Sequence, residues 1–264
     1  MMTAANSAHP SPGSGPKARN VIAVASGKGG VGKTWFAITL AHGLARQGRR
    51  TLLFDGDLGL ANVDIQLGLT PRRDLGGVFA GRLTLGQAAE TFADGGFDII
   101  AGRSGSGSFA QLPSNRLMQL GQDLADLARD YDDVILDLGA GVDRTVRLLA
   151  HWAGTALVIT TPDPTALTDA YAFIKLAVQD DPTADIRVVV NLADSLADGQ
   201  QTHGTLLKVC QKFLRYTPPL AGIIRRDRRV AEAIRAQTPL LTRHPGTDAA
   251  KDVEKLVAGL LLDR

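Results

Sequence analysis

The stretch Gly27-Lys28-Gly29-Gly30-Val31-Gly32-Lys33-Thr34 decides the fold. An apolar run at residues 21–25 (VIAVA) precedes it and is typical of a buried strand, and residues 35–46 follow it with a helical pattern. The glycines allow backbone conformations closed to other residues and let N–H groups approach an anion closely. The following helix directs the positive end of its dipole at the same anion. Strand, glycine-rich turn and helix in this order predict a phosphate-binding loop.

Individual positions of this loop have distinct expected roles. Lys33 is expected to lie on the β- and γ-phosphates of a nucleoside triphosphate, and Thr34 to give its hydroxyl to a magnesium ion. The backbone before them is expected to cradle the phosphates at Gly29, Gly30, Val31 and Gly32. The sequence therefore predicts ATP and Mg²⁺ as cofactors and ATP hydrolysis as the activity.

The rest of the chain alternates short apolar runs with helical patterns. The runs are residues 51–54, 97–100, 134–136, 156–160, 186–190 and, more weakly, 220–223. Their hydrophobicity is continuous rather than alternating, which suits strands covered on both faces of a parallel sheet. The segments between them, such as 115–129 and 166–178, are long enough for crossover helices. We predict the α/β class, with a doubly wound, mostly parallel sheet flanked by helices, as in P-loop NTPases.

Two regions of different organisation are expected along the chain. Residues 1–19 are rich in Ala, Ser, Gly and Pro and have few large apolar side chains. Such a segment cannot bury enough surface to offset its ordering entropy, so we predict a disordered tail. Residues 20–264 contain all the predicted strands and helices, and we predict that they form a single ATPase domain.

Composition excludes several classes of protein. Hydrophobic residues make up 44% of the 264 residues and charged residues 21%, an ordinary balance for a globular domain. No apolar run approaches the roughly 18 residues that span a bilayer. Cys210 is the single cysteine, which excludes an internal disulfide and a cysteine-based zinc site. We therefore expect a cytoplasmic protein, with a polar or membrane-peripheral position left open.

Acidic side chains follow two of the predicted strands. Asp55 and Asp57 end the run at 51–54, and Asp137 ends the run at 134–136. The carboxyl ends of strands in an open parallel sheet are where ligands bind, so these groups are expected beside the phosphate loop. Asp57 could orient the attacking water or hold magnesium through water, and Asp137 could hold the water shell of magnesium. The alternative is that Asp57 and Asp64 are turn or helix-capping residues.

The complete string from Lys28 to Thr34 resembles the deviant Walker A motif of the MinD/ParA family. The resemblance implies a homodimer that forms around ATP, in which Lys28 reaches the phosphates of the partner. Residues 57–64 (DLGLANVD) match the switch I segment of that family, where the residue at Asp57 positions the attacking water and Asn62 belongs to the same switch. The resemblance also implies that Asn191 meets the adenine and that Asp227 lies in the loop closing over the base.

Several separate segments resemble one branch of this family, the flagellar-number regulators FlhG and FleN. They are residues 57–64, 67–71, 138–141, 160–171 and 189–191. The resemblance implies slow hydrolysis and a protein partner that stimulates it or is regulated. Three departures stand out: Trp35 replaces a small or polar residue, the base-side loop at 224–227 lacks a proline, and no glutamine-containing activator motif precedes Asn20.

Other functions remain open at this stage. The cluster of Arg225, Arg226, Arg228 and Arg229 would suit a DNA-partitioning ATPase, since phosphate contacts support salt-sensitive binding to duplex DNA. Related P-loop folds serve in ligases such as cobyrinic acid diamide synthase, which would need a further substrate domain. The pattern at residues 251–261 predicts an amphipathic helix. Its polar face mixes acids and bases, which favours a helix packed on the domain; the alternative is a weak membrane anchor.

Overall fold

An eight-stranded sheet is the centre of the computed structural model, which describes residues 17–102 and 113–263. Its strands are β1 (Ala18–Ser26), β2 (Thr51–Gly56), β3 (Glu90–Phe92), β4 (Phe97–Ile100), β5 (Asp133–Ala140), β6 (Ala153–Thr160), β7 (Asp185–Ala193) and β8 (Leu220–Arg225). Their order across the sheet is β3-β4-β2-β5-β1-β6-β7-β8. All neighbours are parallel except β3, which pairs antiparallel with β4 at the edge.

Helices cover both faces of this sheet. In chain order they are α1 (Lys33–Arg46), α2 (Val63–Leu67), α3 (Leu75–Phe79), α4 (Leu85–Ala88), α5 (Ser114–Leu127), α6 (Arg144–Trp152), α7 (Pro164–Asp180), α8 (Leu196–Leu214), α9 (Arg228–Arg235), α10 (Leu240–Arg243) and α11 (Asp248–Leu262). Residues of β1 alternate between two hydrophobic clusters: Val21 and Ala23 face one, and Ile22 and Val24 face the other. Both sides of the strand are therefore buried, which explains its continuous apolar pattern.

The topology brings three strand ends together. Strand β5 lies between β2 and β1, and Asp55 of β2 is in register with Asp137 of β5. On the other side of β5, Val24 of β1 is in register with the same Asp137. The phosphate loop that follows β1 and the acidic ends of β2 and β5 consequently meet at one edge of the sheet, the edge where open α/β sheets bind ligands.

The predicted doubly wound α/β class is confirmed, with two local differences. Strand β3 was not predicted, because three residues at an antiparallel edge are too short to show a periodic pattern. Strand β1 begins at Ala18, so Ala18 and Arg19 of the predicted tail belong to the sheet. Residues 1–16 of that tail lie outside the described residues, as do residues 103–112.

The C-terminal helix α11 packs on the domain. Val253, Leu256 and Val257 are buried in the same hydrophobic cluster as α1, and Glu254 pairs with Arg46 of α1 at 3.0 Å. The apolar face of this helix therefore completes the core, as its mixed-charge pattern predicted. Within residues 17–102 and 113–263, the structure has no helix whose length and apolar character would allow it to cross a membrane.

Candidate functional site

The glycine-rich loop between β1 and α1 has the backbone that an anion site requires. Gly30 and Gly32 have φ values of 78° and 89°, a region that L side chains rarely adopt. Gly32 is the N-cap of α1, and no side chain caps that end of the helix. The first N–H groups of α1 are therefore available to phosphate oxygens, with the helix dipole behind them.

Two neighbours fix the position of this loop. The Asn191 amide at the end of β7 donates from Nδ2 to the Val31 carbonyl oxygen at 2.8 Å. On the other side, a Cβ at Gly27 would lie 2.1 Å from the Asp169 carbonyl oxygen of α7. Because the loop backbone packs directly on α7 at this point, only glycine fits at Gly27. Contacts with β7 and α7 therefore fix the conformation of the loop.

Asp137 lies beside the two loop residues predicted to handle phosphate and magnesium. Burial raises the pKa of its carboxyl to about 6, while the Lys33 charge and the Thr34 hydroxyl beside it act in the opposite direction. Lys33 is only 8% exposed, so its ammonium is held inside the site. The Asp57 charge raises the pKa of Asp137 further. Lys33, Thr34 and Asp57 therefore all lie close enough to Asp137 to act on its carboxyl, and the four side chains form one electrostatic unit.

The donors in this unit fit a magnesium ion bound together with a nucleotide. Asp137 Oδ1 is buried and has no hydrogen-bond partner in the described part of the chain, which leaves an oxygen free for a cation or its water. The same part of the chain has no cluster of three or more metal-ligating side chains. Mg²⁺ typically takes one or two protein oxygens and completes its shell with phosphates and water. Thr34 and Asp137 would hold it, and when bound it neutralises charge on the phosphates.

Asp55 organises the segment after β2. Its buried carboxylate accepts the backbone N–H groups of Asp57 at 3.3 Å and of Asn62 and Val63 at 3.1 Å each. Burial, together with the neighbouring Asp137 charge, raises the pKa of Asp55 to about 8. Sequence reasoning placed Asp55 at the strand end but gave it no role of its own. Its contacts show that it holds both ends of the loop that carries Asp57.

Asp57 is a turn residue whose carboxylate lies beside the end of β5. Its Oδ1 accepts the backbone N–H of Leu60 at 2.9 Å and of Gly59 at 3.3 Å, as a turn aspartate does. The same oxygen would lie 3.4 Å from a Cβ at Gly139, at the end of β5. The turn therefore holds this carboxylate next to Asp137 rather than away from the site.

Lys28 is held by its own chain at the start of α7. Its Nζ donates to the Thr165 hydroxyl and lies 3.6 Å from Asp163 Oδ2. Hydrogen bonds from the Thr165 hydroxyl and N–H and from the Ala166 N–H lower the pKa of Asp163 to about 2, with a further contribution from Lys28. The Lys28 side chain is 38% exposed, so this loop lysine is at the surface while Lys33 is inside.

The remaining predicted site residues are placed as follows. Asn191 contacts the loop directly. Asn62 is exposed at the N-cap position of α2, and its amide donates to the Leu60 carbonyl. Asp227 is the N-cap of α9, where it accepts the Arg229 N–H at 2.9 Å. Trp35 is 5% exposed and packs in the core with the rest of α1, as a packing role predicts.

The raised pKa of Asp55 predicts a pH-dependent stability for the nucleotide-free protein. Because the folded pKa is about 8 and the usual value is 3.8, the folded state binds the proton more tightly than the unfolded state. The contribution of Asp55 to the free energy of unfolding should therefore fall as pH rises between about 4 and 8, by at most about 1.4 kcal/mol per pH unit. Urea unfolding at pH 6, 7 and 8 measures this slope. Asp55→Asn should flatten it, and an unchanged slope in that variant would contradict the assignment.

Known proteins share this sequence pattern and architecture. Residues 22–240 match the family model described as the CobQ/CobB/MinD/ParA nucleotide binding domain. The chain belongs to this family. It is 38% identical to the antiactivator FleN of Pseudomonas aeruginosa over 230 residues, which cover 87% of this chain and 82% of FleN. It is 30% identical to the septum site-determining protein MinD of Bacillus subtilis, over 83% of this chain and 81% of that one.

Solved structures of family members have the same fold. The cell division ATPase MinD of Pyrococcus furiosus superimposes with a TM-score of 0.79 at 23% identity, covering 94% of this chain and all of that one. MinD of Pyrococcus horikoshii, solved with Mg-ADP, gives 0.76 at 23% identity, over 92% and 96% of the two chains. The predicted family and fold are confirmed, and the predicted ATP and Mg²⁺ agree with a family of nucleotide-binding domains in which a solved member holds Mg-ADP.

Proposed function

We propose that this ATPase is a nucleotide-driven switch that controls the number or placement of flagella. The observation that carries the proposal is the 38% identity to the antiactivator FleN across most of both chains. A second relative, the flagellum site-determining protein YlxH of Helicobacter pylori, is 30% identical over 72% of this chain and 64% of YlxH. YlxH is named for a flagellar function, and FleN belongs to the branch that the sequence resembles. Together they favour this role over septum placement, for which the MinD relatives are named.

The switch would work by dimerisation around ATP. The surface position of Lys28 at the start of α7 supports this step, because a second subunit could reach a lysine that is not enclosed in its own site. Lys28 would exchange its bonds to Thr165 and Asp163 for phosphate oxygens of the partner. Asp57 would orient the attacking water, Asn191 would meet the adenine, and Asp227 would lie beside the base. Hydrolysis would then release the two subunits.

The ATP-bound dimer would act on a protein partner. The MinC:MinD complex of Aquifex aeolicus, whose MinD chain shares this fold at 22% identity and a TM-score of 0.75, is an example of a family fold assembled with a second protein. Slow hydrolysis alone, on the order of 10⁻⁴ to 10⁻² s⁻¹, would then be accelerated when a partner completes the site. Any membrane contact would be weak or made through such a partner.

The structure weakens the DNA-partitioning alternative. Arg225 makes two hydrogen bonds of 2.9 Å with Asp252 and a further ion pair of 2.9 Å with Asp248. Arg226 pairs with Asp194 at 3.1 Å, and Arg229 pairs with Glu232. Three of the four clustered arginines are therefore neutralised by carboxylates of the same chain. A DNA phosphate would have to displace these partners, which reduces the electrostatic gain on binding.

This pairing predicts weak DNA binding even in the ATP-bound state. Asp57→Ala with ATP should bind non-specific duplex DNA no tighter than about 10⁻⁴ to 10⁻⁶ M at physiological salt, the range that any basic patch reaches. Replacing Arg226, Arg228 and Arg229 by alanine should change that affinity little and leave ATP-driven dimerisation intact. Arg225 is left in place because it holds α11 to β8. Fluorescence anisotropy with a labelled duplex measures the affinity, and tight ATP-dependent binding lost in this variant would favour partitioning.

The cellular experiment is deletion of the gene. The proposed function predicts altered flagellar number or placement, counted by electron microscopy, with normal chromosome and plasmid inheritance. Complementation by the parent gene should restore the count, and complementation by Lys33→Ala should not. Normal flagellation in the deletion strain together with defective inheritance would overturn the flagellar proposal.

The ligase alternative has only a similarity of fold in its favour. The structure of cobyrinic acid a,c-diamide synthase from Mycobacterium smegmatis is 24% identical to this chain, which gives no indication of a substrate.

A further inference from the structure

Gln237 joins two segments that are 172 residues apart in the sequence. It follows α9, and its side-chain Nε2 donates to the Ile65 main-chain oxygen at 3.0 Å. That oxygen belongs to the last turn of α2, where it also accepts the Gly68 N–H at 3.3 Å. Gln237 therefore caps the C-terminal end of α2 from a different part of the chain.

The backbone around this contact is specialised on both sides. Gln237 has a φ of 50°, a region uncommon for residues other than glycine. Opposite it, Gly68 ends α2 with a φ of 65°, and a Cβ there would lie 2.8 Å from Gln237 Oε1. A glycine at position 237 would suit the backbone better than glutamine does. What glutamine adds at this position is the side-chain amide bonded to α2.

The other end of α2 is held from the nucleotide site. Asp55 accepts the N–H groups of Asn62 and Val63 at the start of the helix. Along its length, Val63 and Leu67 share a hydrophobic cluster with Ala233 of α9. Helix α2 is thus fixed at its N-terminus by a strand of the sheet and at its C-terminus by the residue that follows α9.

We propose that Gln237 is a positioning residue for ATP hydrolysis. By holding the end of α2 on α9, it fixes the segment of residues 57–64, which carries Asp57, relative to the helix that begins at Asp227. It acts through α2 rather than by touching the reacting atoms. The inference rests on the proposed role of Asp57 in orienting the attacking water.

Two variants separate positioning from folding. Gln237→Gly removes the amide but relieves the backbone, so its melting temperature should equal or exceed that of the parent. Gln237→Glu keeps the length of the side chain but presents an acceptor to the Ile65 oxygen. Both should lower the single-turnover rate of ATP hydrolysis about tenfold, because small misplacement of catalytic groups is costly. Both should leave the ATP dissociation constant within about twofold of the parent value, since the phosphate loop is untouched.

The control is Arg235→Ala. Arg235 is exposed at the end of α9, the helix that precedes Gln237, and its substitution should keep the parent rate. A parent-like rate in Gln237→Gly, or an equal fall in Arg235→Ala, would overturn the positioning role. Asp57→Ala, measured in the same assay, distinguishes an error in the role of Gln237 from an error in the role of Asp57. If Asp57→Ala loses hydrolysis while Gln237→Gly keeps it, only the role of Gln237 is wrong. If Asp57→Ala keeps hydrolysis, the assignment of the water-positioning residue is wrong and the inference falls with it.

Discussion

Lys33→Ala is expected to weaken MgATP binding by at least about 30-fold. Lys33 is buried at the N-terminus of α1, and its charge is the countercharge that Asp137 and the phosphates share. Removing one partner of a buried charge pair costs about 2–5 kcal/mol or more, which weakens binding from roughly 30-fold to several thousand-fold. Isothermal titration calorimetry with MgATP gives the dissociation constant directly.

The control for this experiment is Lys251→Ala, which removes an exposed lysine on α11 and should bind MgATP as the parent does. Circular dichroism should show that Lys33→Ala remains folded, since the sheet and both hydrophobic clusters are unchanged. Parent-like affinity in folded Lys33→Ala would mean that the phosphates bind elsewhere, and the site would have to be reassigned.

Asp57→Ala should keep ATP binding and lose hydrolysis. The Asp57 carboxylate is held beside the end of β5 by the N–H groups of Gly59 and Leu60, and its proposed role is to orient the attacking water. A positioned acid–base group contributes about 10² to 10⁴-fold, so the single-turnover rate should fall by at least about 10²-fold. The ATP dissociation constant should stay within about threefold of the parent value.

The matched control for Asp57→Ala is Asp64→Ala. Asp64 lies in the same segment, and its carboxylate accepts the Ile65 N–H at 2.8 Å, as a local capping residue does. Its removal should leave the rate close to that of the parent. If the hydrolysis rate fell equally in the two variants, the cause would be disorder of the segment and not the loss of a specific role of Asp57.

The sequence predicted those parts of the site that are local in the chain. The phosphate loop, Thr34 and the strand-end carboxylates Asp57 and Asp137 are each set by a few neighbouring residues, and parallel topology brings such strand ends together. These parts could therefore be found before the structure was known.

The parts that sequence reasoning missed depend on contacts between distant segments. Lys28 bonds to Thr165 across 137 residues, and Gln237 bonds to Ile65 across 172. No periodicity or spacing marks such pairs, because each forms only when the fold brings two distant segments together. The arginine cluster is the clearest case. Its sequence suggested binding to duplex DNA, whereas in the structure Arg225 forms an ion pair with Asp252 of α11.

The central claim, that ATP drives dimerisation of this ATPase, is tested most directly by the molecular mass of Asp57→Ala in solution. Light scattering coupled to size exclusion should give 27.9 kDa with ADP and twice that mass with MgATP. Lys28→Ala should bind MgATP yet stay at 27.9 kDa, because the proposed contact of Lys28 with the partner's phosphates is lost. A monomer mass for Asp57→Ala at saturating MgATP would contradict the account.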